Sequence, residues 1–514
     1  MNSKKLVVFC ALIATEYSGY AQYAADALRF SEFEQGSSSR FKGLGNAQTA
    51  LGGDISSISG NPAGLGMFTK SEFAFSADYS SSNVNSNYIN QTSEAQKDKL
   101  GFNQLGAVFY TRAARAKGSD LKTGWLSFNF GIGYNKTNNF NTTIDYSGTN
   151  PNSSYADYLA DLANDYLSAG NPSNTNNQDA LPEGTLPRMG YDALLIEYNA
   201  AGYFPATEVN NNQRNLAYRT GFQSEVNFAV GANYSNELYL GASIGLSSLD
   251  YDVDRELIEK GDNRNFPGQL PELIGGTYTS TYQSYQSTEG SGINGKIGFI
   301  YRPTNILRIG ANFITPTWYT IKDDFSEVLN ANYRRANGSA VSYGTNGEEL
   351  YQSDYNLRTP YKLNAGAAVI INKQGLISGD VEFVDYSSIH FSSDDGIVER
   401  SNNNEIRDSY KGAVNFRIGG EYKIANLMLR AGYNTTGSPY KNLDFSSETI
   451  SGGVGYRKKN MYIDLTYQNF SRNSENTPYV ISENYPDFST TGNGETASLK
   501  NTRNSVFLTI GTRF

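Results

Sequence analysis

One histidine, one cysteine, two tryptophans and five methionines are all that the 514 residues hold of these types. The lone histidine, His390, cannot build a histidine-based metal cage, and no Ser–His pair stands out for nucleophilic hydrolysis. Cys10 falls in an N-terminal apolar run, Leu6 to Ala14, preceded by Lys4-Lys5 and followed by a small-residue site at Gly19-Tyr20-Ala21-Gln22. That order reads as a secretory signal peptide over residues 1–21, cut after Ala21 or Gln22; Val7-Val8-Phe9 is a poor lipoprotein signature. The mature chain is then expected to hold no cysteine, hence no disulfide or thiolate-held metal. Long hydrophobic runs are missing too: past the signal nothing approaches the roughly 20 consecutive apolar residues of a spanning helix. Basic residues are not in surplus either. The formal charge is −9, which argues against a nucleic-acid partner.

What is abundant is Tyr (38), Phe (27) and Gly (51), in a chain of mean hydropathy −0.50. Many polar residues beside many aromatics suit a wall with one face in lipid and one in water, with aromatic girdles at both interfaces. Period-two alternation runs through the mature sequence. In the last segment Val506, Leu508, Ile510 and Phe514 share one face and Phe507, Thr509 and Arg513 the other. Leu238, Leu240, Ala242, Ile244 and Leu246 repeat the pattern. Fourteen strands are predicted, beginning near residues 71, 101, 122, 221, 237, 292, 306, 361, 375, 412, 427, 449, 460 and 503. Short connections at 234–236, 302–305, 372–375, 423–426 and 457–460 alternate with long ones, the longest at 138–220. An even strand number with short turns on one side fits an outer-membrane barrel with both ends in the periplasm. A soluble β-sandwich would alternate as well but has no reason to sort its loops. The expected fold is all-β, a 14-stranded antiparallel transmembrane β-barrel over residues 71–514 with long extracellular loops.

With apolar partners facing lipid, the alternation turns Lys296, Arg308, Lys362, Asp380, Glu382, Arg417, Glu421, Arg430 and Asp464 into the lumen. Mixed signs predict a cross-strand charge network there, since a Lys or Arg facing mid-bilayer lipid costs about 2–4 kcal/mol. Asp380 and Glu382 share a face, as a hydrolytic pair would, but no oriented nucleophile or base accompanies them. Within the loop 138–220 the period changes. Tyr155, Tyr158, Leu159, Leu162 and Tyr166 form one stripe between 155 and 167, opposite Asp157, Asp161 and Asp165, which predicts a short amphipathic helix. Three aspartates without a calcium-loop ligand pattern read as a solvated face, and no metal site is expected. The apolar stripe, with Leu194 and Leu195 of a second patch, either packs on the barrel mouth or gives a hydrophobic ligand its first contact.

Residues 22–70 precede the first strand. Their core, Gly43 to Phe68, is too rich in small residues for a lipid-facing strand and too apolar for a linker. It reads as a compact hatch tucked inside the barrel. Asn61 and Pro62 are suited to hold it in one conformation, proline by fixing φ and a buried asparagine by pinning backbone groups. The plainer alternative is that they only turn the chain into the first strand. Here the sequence resembles the long-chain fatty-acid transporter family of outer-membrane proteins, the FadL/TodX type. The resemblance is carried by Ala50-Leu51-Gly52-Gly53-Asp54, by Asn61-Pro62-Ala63-Gly64-Leu65, and by Gly298-Phe299-Ile300-Tyr301-Arg302-Pro303 leading to Leu307-Arg308-Ile309-Gly310. The C-terminal Phe514 after an alternating strand resembles the signal read by the outer-membrane assembly machinery.

The resemblance implies a 14-stranded barrel plugged by a hatch containing Asp54, Asn61, Pro62, Ala63 and Gly64, which passes hydrophobic substrates by diffusion and needs no cofactor. It also implies a strand irregularity that opens the wall sideways to lipid, for which Gly131 and Gly133 of the third strand are the expected kink. Long Asn- and Tyr-rich loops match Bacteroidetes-like relatives and depart from the fatty-acid transporters proper, which leaves the ligand open. Three functions are thus in view. Uptake of hydrophobic molecules such as fatty acids needs a loop groove, with Tyr158, Leu159, Leu162, Tyr166, Leu194 and Leu195 as candidate contacts, and a movable hatch. A non-transporting scaffold for type IX-like protein secretion needs a sealed lumen and a stable protein partner. A haemin receptor would rest on His390. An outer-membrane hydrolase lacks its catalytic cluster.

Overall fold

The computed structural model describes residues 21–115, 120, 122–168, 181–271, 273–345, 348–372, 374–481 and 494–514; the signal segment, residues 1–20, lies outside them. Alternating apolar and polar side chains give strands that are half in lipid and half in the lumen, and fourteen of them form one antiparallel ring. They are β1 (Glu72–Tyr88), β2 (Gln91–Arg112), β3 (Trp125–Asn139, continued by Thr142–Asn150), β4 (Asn211–Tyr234), β5 (Leu238–Asp262), β6 (Thr277–Tyr301) and β7 (Leu307–Ile314 with Trp318–Arg334). The ring continues through β8 (Glu349–Arg358 with Lys362–Ile371), β9 (Gly375–Asp385), β10 (Gly412–Ile424), β11 (Leu427–Thr436), β12 (Ser447–Lys458), β13 (Met461–Asn476) and β14 (Ala497–Arg513). The last strand returns to the first, from Glu72 opposite Arg513 to Asn87 opposite Ser498, so the sheet closes.

Outward residues make an apolar belt: Phe228, Ile244, Ile297, Phe416 and Ile450 are each more than half exposed. Exposure on that scale is costly in water and is relieved by lipid. No helix among the described residues is long and apolar enough to cross a membrane; the strands do it. Crossing takes about 9–11 residues. β4, β5 and β6 run to 24, 25 and 25 residues, so their far halves stand clear of the bilayer at the long-loop end.

These protruding halves correct the sequence expectations. The second, fourth, sixth and fourteenth strands were expected near 101, 221, 292 and 503 but begin at Gln91, Asn211, Thr277 and Ala497. Outside the bilayer both faces meet water, so the far half of β6 is built from Thr, Ser, Tyr and Gln and shows no apolar alternation. The loop expected at 138–220 is shorter for the same reason, because Thr142–Asn150 pairs with Asn211 to Arg219. Trp318–Arg334 and Glu349–Arg358, expected as loop, extend β7 and β8.

Five α-helices lie among the described residues: α1 (Ala21–Ser31), α2 (Ser39–Gly43), α3 (Tyr155–Ser168), α4 (Leu186–Asp192) and α5 (Gly396–Ser409). The predicted amphipathic helix is α3. It and α4 roof the barrel, with a core formed by Tyr155, Leu159, Leu195, Tyr282, Tyr333 and Tyr479. Its first turn is fastened to the rim by Glu259 on β5, which accepts from Tyr155 N–H at 2.8 Å and Ser154 Oγ at 2.8 Å.

Candidate functional site

Below this roof, residues 38–68 cross the lumen as α2 and two 3₁₀ turns, Ile55–Ile58 and Pro62–Met67. Asp54 caps the first turn, accepting from Ser56 N–H at 3.0 Å, and also takes Ser38 Oγ at 2.9 Å. Asn61 caps the second, accepting from Ala63 N–H at 3.1 Å, with Pro62 in the first position where no N–H is needed. Its Nδ2 donates to Thr49 O at 2.7 Å and to Phe299 O of β6 at 3.2 Å. Turning the chain and pinning the hatch are therefore one geometry at Asn61. Pro62, Ala63 and Gly64 are buried beside it. The hatch lies backbone against backbone on the wall. A Cβ on Gly241 of β5 would sit 2.2 Å from the Pro62 carbonyl carbon, and one on Gly432 of β11 would sit 2.1 Å from Gly45 N.

All nine charged residues read as lumenal lie on the inner side. Asp380 Oδ2 accepts from the hatch N–H groups of Gln48 and Thr49, both at 2.8 Å. Arg308 donates to Leu51 O at 2.8 Å. Arg430 links Glu421 and Asp464, each at 2.6 Å, and Glu421 also holds Arg40 of the hatch at 3.1 Å. Glu382 pairs with Arg417 at 2.7 Å. Lys296 pairs with Glu225, a partner that the sequence reading left out. Lys362 is buried with its ammonium 3.9 Å from the centre of the Phe33 ring. Asp380 and Glu382 thus face hatch amides and a guanidinium respectively. His390 is half-buried and lies opposite Arg358 in a three-residue strand.

Between hatch and roof the inward face turns apolar. Leu249, Tyr251, Ile321, Tyr355, Leu357 and Phe391 are buried there around α1, whose Ala24, Ala27, Leu28 and Phe30 fill the space. Phe30 meets Tyr251 edge to face at 5.7 Å, and Tyr23 stacks on Phe391 at 5.3 Å. Sequence reasoning missed this compartment, since its residues come from five strands and two loops. The segment after α1 is tied down by Glu32–Arg472 at 2.7 Å, by Glu34–Arg503, and by Glu34 N–H to Thr137 O at 2.7 Å. A cavity of about 90 Å³ beside it is lined by charged groups, among them Glu34, Lys42, Asp78, Lys136 and Arg503.

The six candidate ligand contacts sit in the roof instead. Leu159 and Leu195 are fully buried in its core, and Tyr158, Leu162, Tyr166 and Leu194 pack half-buried against it. Of the two readings of that stripe, packing is the one the structure shows. The opposite face is also not solvated as expected: Asp157 and Asp161 are buried, because the helix lies flat on the rim. Asp157 accepts from Ser154 N–H at 2.8 Å, and burial pushes its carboxyl up to about 7, more than that N–H lowers it. Among the described residues no group of three His, Cys, Asp or Glu is placed to hold a metal.

Among the described residues the wall is broken between β2 and β3. β2 and β3 pair from Arg112 opposite Ser127 to Gln104 opposite Asn135 and no further. Past that point β2 stays with β1, while Thr142–Asn150 pairs with β4 and packs Ile144 and Tyr146 inward on Val84 and Tyr88. Lys97 Nζ bridges the gap to Arg219 O at 2.9 Å. The β3–β4 register slips at Trp125/Ser127 and at Lys136/Asn138, the second beside the break, and not at the expected Gly131 and Gly133. Those glycines pair regularly, and what they provide is room: a Cβ on them would meet Ile58 of the hatch at 2.9 and 3.3 Å.

A closed ring of fourteen strands, plugged from its N-terminal side, roofed by loops and interrupted at the third strand, is the FadL/TodX-type barrel fold. Among solved structures the chain is similar to a Pseudomonas aeruginosa FadL homologue, at TM-score 0.52 and 12% identity over 93% of this chain and 98% of that one. It is similar to the Pseudomonas putida toluene transporter TodX at TM-score 0.50 and 14% identity, over 93% of this chain and 99% of that one. At such identities the likeness is one of fold. No family model and no curated protein matches the sequence.

Proposed function

We propose that the chain is an outer-membrane channel for passive uptake of hydrophobic small molecules, long-chain fatty acids among them, with its short turns in the periplasm. The observation that carries this reading is the apolar compartment inside the barrel, plugged by the protein's own helix α1. A water-filled pore has no use for such a lining, whereas an apolar solute is held there without any energy source. The named neighbours in structure, a toluene transporter and a FadL homologue, point the same way.

The route follows from polarity. Below the compartment the lumen is charged, so an apolar molecule gains nothing by descending through the hatch layer. The break between β2 and β3 lies beside that level and leads outward, past Phe102 and Tyr134 stacked at 5.0 Å, toward lipid. Within the hatch segment, residues 38–68 lie backbone against backbone on the wall, while 21–31 are held by apolar packing in the compartment and 32–37 by side-chain ion pairs and hydrogen bonds. Residues 21–37 are the movable piece in this reading, displaced when a ligand takes the place of α1. The signal peptide delivers the chain, and Phe514, exposed beside β1 with its N–H on Ser71 O at 3.0 Å, serves the assembly machinery.

Native mass spectrometry of the protein gently extracted from its own membrane tests the reading. Apolar small-molecule adducts are expected, and they should disappear in the Ile321→Asn variant, whose side chain is wholly buried against α1. A barrel free of such adducts but bound to a stoichiometric protein partner would replace uptake with the secretion-scaffold reading; a haem adduct would point to His390.

A further inference from the structure

Helix α1 carries a carboxylate into the apolar compartment. Asp26 is fully buried, pairs with Arg29 of its own helix, and through Oδ2 accepts from Gln286 Nε2 of β6 at 2.9 Å. The wall beside it holds a second carboxylate. Asp323 of β7 is buried too, and its Oδ1 takes Gln286 Nε2 at 2.9 Å and the hydroxyl of Thr288; these are its partners among the described residues, and neither is a cation. On β8 the register sets Ser353 opposite Asp323 and Tyr355 opposite Ile321, which makes Tyr355 the diagonal neighbour of Asp323 on the inner face. The Tyr355 ring lies 5.1 Å from Tyr23 and 4.9 Å from Phe391. It is 3% exposed, yet its Oη has no hydrogen-bond partner among the described residues. A buried hydroxyl left unpaired is costly, and an arriving acceptor relieves that cost.

When a ligand takes the place of α1, Asp26 and Arg29 leave together. Gln286 then loses an acceptor, Tyr355 still has an O–H to give, and Asp323 keeps its charge with Oδ2 open. The incoming group has to accept from the first two without setting a second negative charge beside the third. A carboxylate meets both donors but, unlike Asp26, brings no arginine of its own. The cation Arg219 of β4 stands three strands from Asp323, about 14 Å round the wall. An ammonium pairs with Asp323 and leaves both donors unmet. A hydroxyl serves all three. We propose that the compartment is a binding site for uncharged apolar molecules that carry a hydroxyl, long-chain alcohols being the simplest, ahead of the corresponding carboxylates. This rests on the uptake reading and narrows its substrate.

Tritiated 1-decanol, decanoate, decylamine and decane, each titrated by scintillation binding on the full-length protein in detergent at pH 8, test this. Decanol is expected to bind roughly tenfold tighter than each of the other three. Tyr355→Phe removes a hydroxyl that makes no bond in the closed form, and should bring decanol down toward decane. Asp323→Asn should raise decanoate roughly tenfold and leave decane unchanged. Decanoate or decylamine bound as tightly as decanol in the parent overturns the proposal, as does a decanol preference that survives both substitutions. Decane bound as tightly as decanol overturns it too but leaves the uptake reading standing, whereas no binding of any of the four brings down both.

Discussion

Replacing Asp380 with alanine asks whether the wall holds the hatch. Its Oδ2 accepts two successive hatch N–H groups at 2.8 Å, and all three residues are buried. A buried N–H left without an acceptor costs about 1–3 kcal/mol, so the pair costs about 2–6 kcal/mol. Water entering the hollow left by the carboxylate favours the lower half of that range, about 3 kcal/mol. Asp380 makes no side-chain bond to its neighbouring strands, so the cost falls on local opening of the hatch around residues 44–54 and not on the ring. At about 1.4 kcal/mol per decade, opening becomes about 150-fold more frequent. Hydrogen–deuterium exchange in nanodiscs reads this directly, with peptides over the hatch accelerating by about two decades while peptides of β4 and β5 keep their rates. Asp380→Asn keeps an oxygen in the same place and should change exchange less than tenfold. Hatch exchange within threefold of the parent in the alanine variant, or acceleration shared equally by the ring, would refute the reasoning.

Two further outcomes are expected. Asp157 is held up to about 7 in the folded roof against an ordinary value near 3.9, so the folded roof keeps a proton that the opened roof releases. Its stability then falls as pH rises from about 4 to about 7, at most tenfold per pH unit, and is flat above; limited proteolysis across that range should show the fall, and Asp157→Asn should abolish it. Lys296→Met strands a buried Glu225 and should cost about 3–5 kcal/mol in urea unfolding, most of it recovered when Glu225→Gln is added.

The strands could be read where lipid and lumen impose opposite chemistry on alternate residues, as in Val506 to Phe514. They could not be read where both faces meet water, which is why Gln91 to Leu100 was left out of β2. Helix α3 declared itself through five apolar residues on one stripe. Helix α5, with Val398 and Ile406 as its buried apolar residues, carries too few to do so. The inward charges were legible from alternation, and the same rule applied to Val226 and Phe228 would have turned Glu225 inward as the partner of Lys296. The seat of the hatch was not legible, because Gly241 and Gly432 acquire meaning only from backbone that arrives from nearly 200 and nearly 400 residues away. Nor was the apolar compartment, since residues 22–31 were assigned to the hatch segment without a helix being expected there, and the strand residues that meet α1 lie more than 200 residues further on.

The hatch is keyed to the ring on every side. Thr509 of β14 takes Ser39 N–H, Gln468 of β13 donates to Lys42 O, Asp380 of β9 holds Thr49, Asn129 of β3 donates to Phe68 O, and Asn103 of β2 donates to Ser37 O. A key cut to the whole circumference cannot be threaded into a lock that is already shut. The segment precedes β1 in the chain, so it is present before the β1–β14 seam is made. The ring therefore closes around a segment that is already in the chain ahead of it, with strand number and stagger fixing the diameter into which that segment fits.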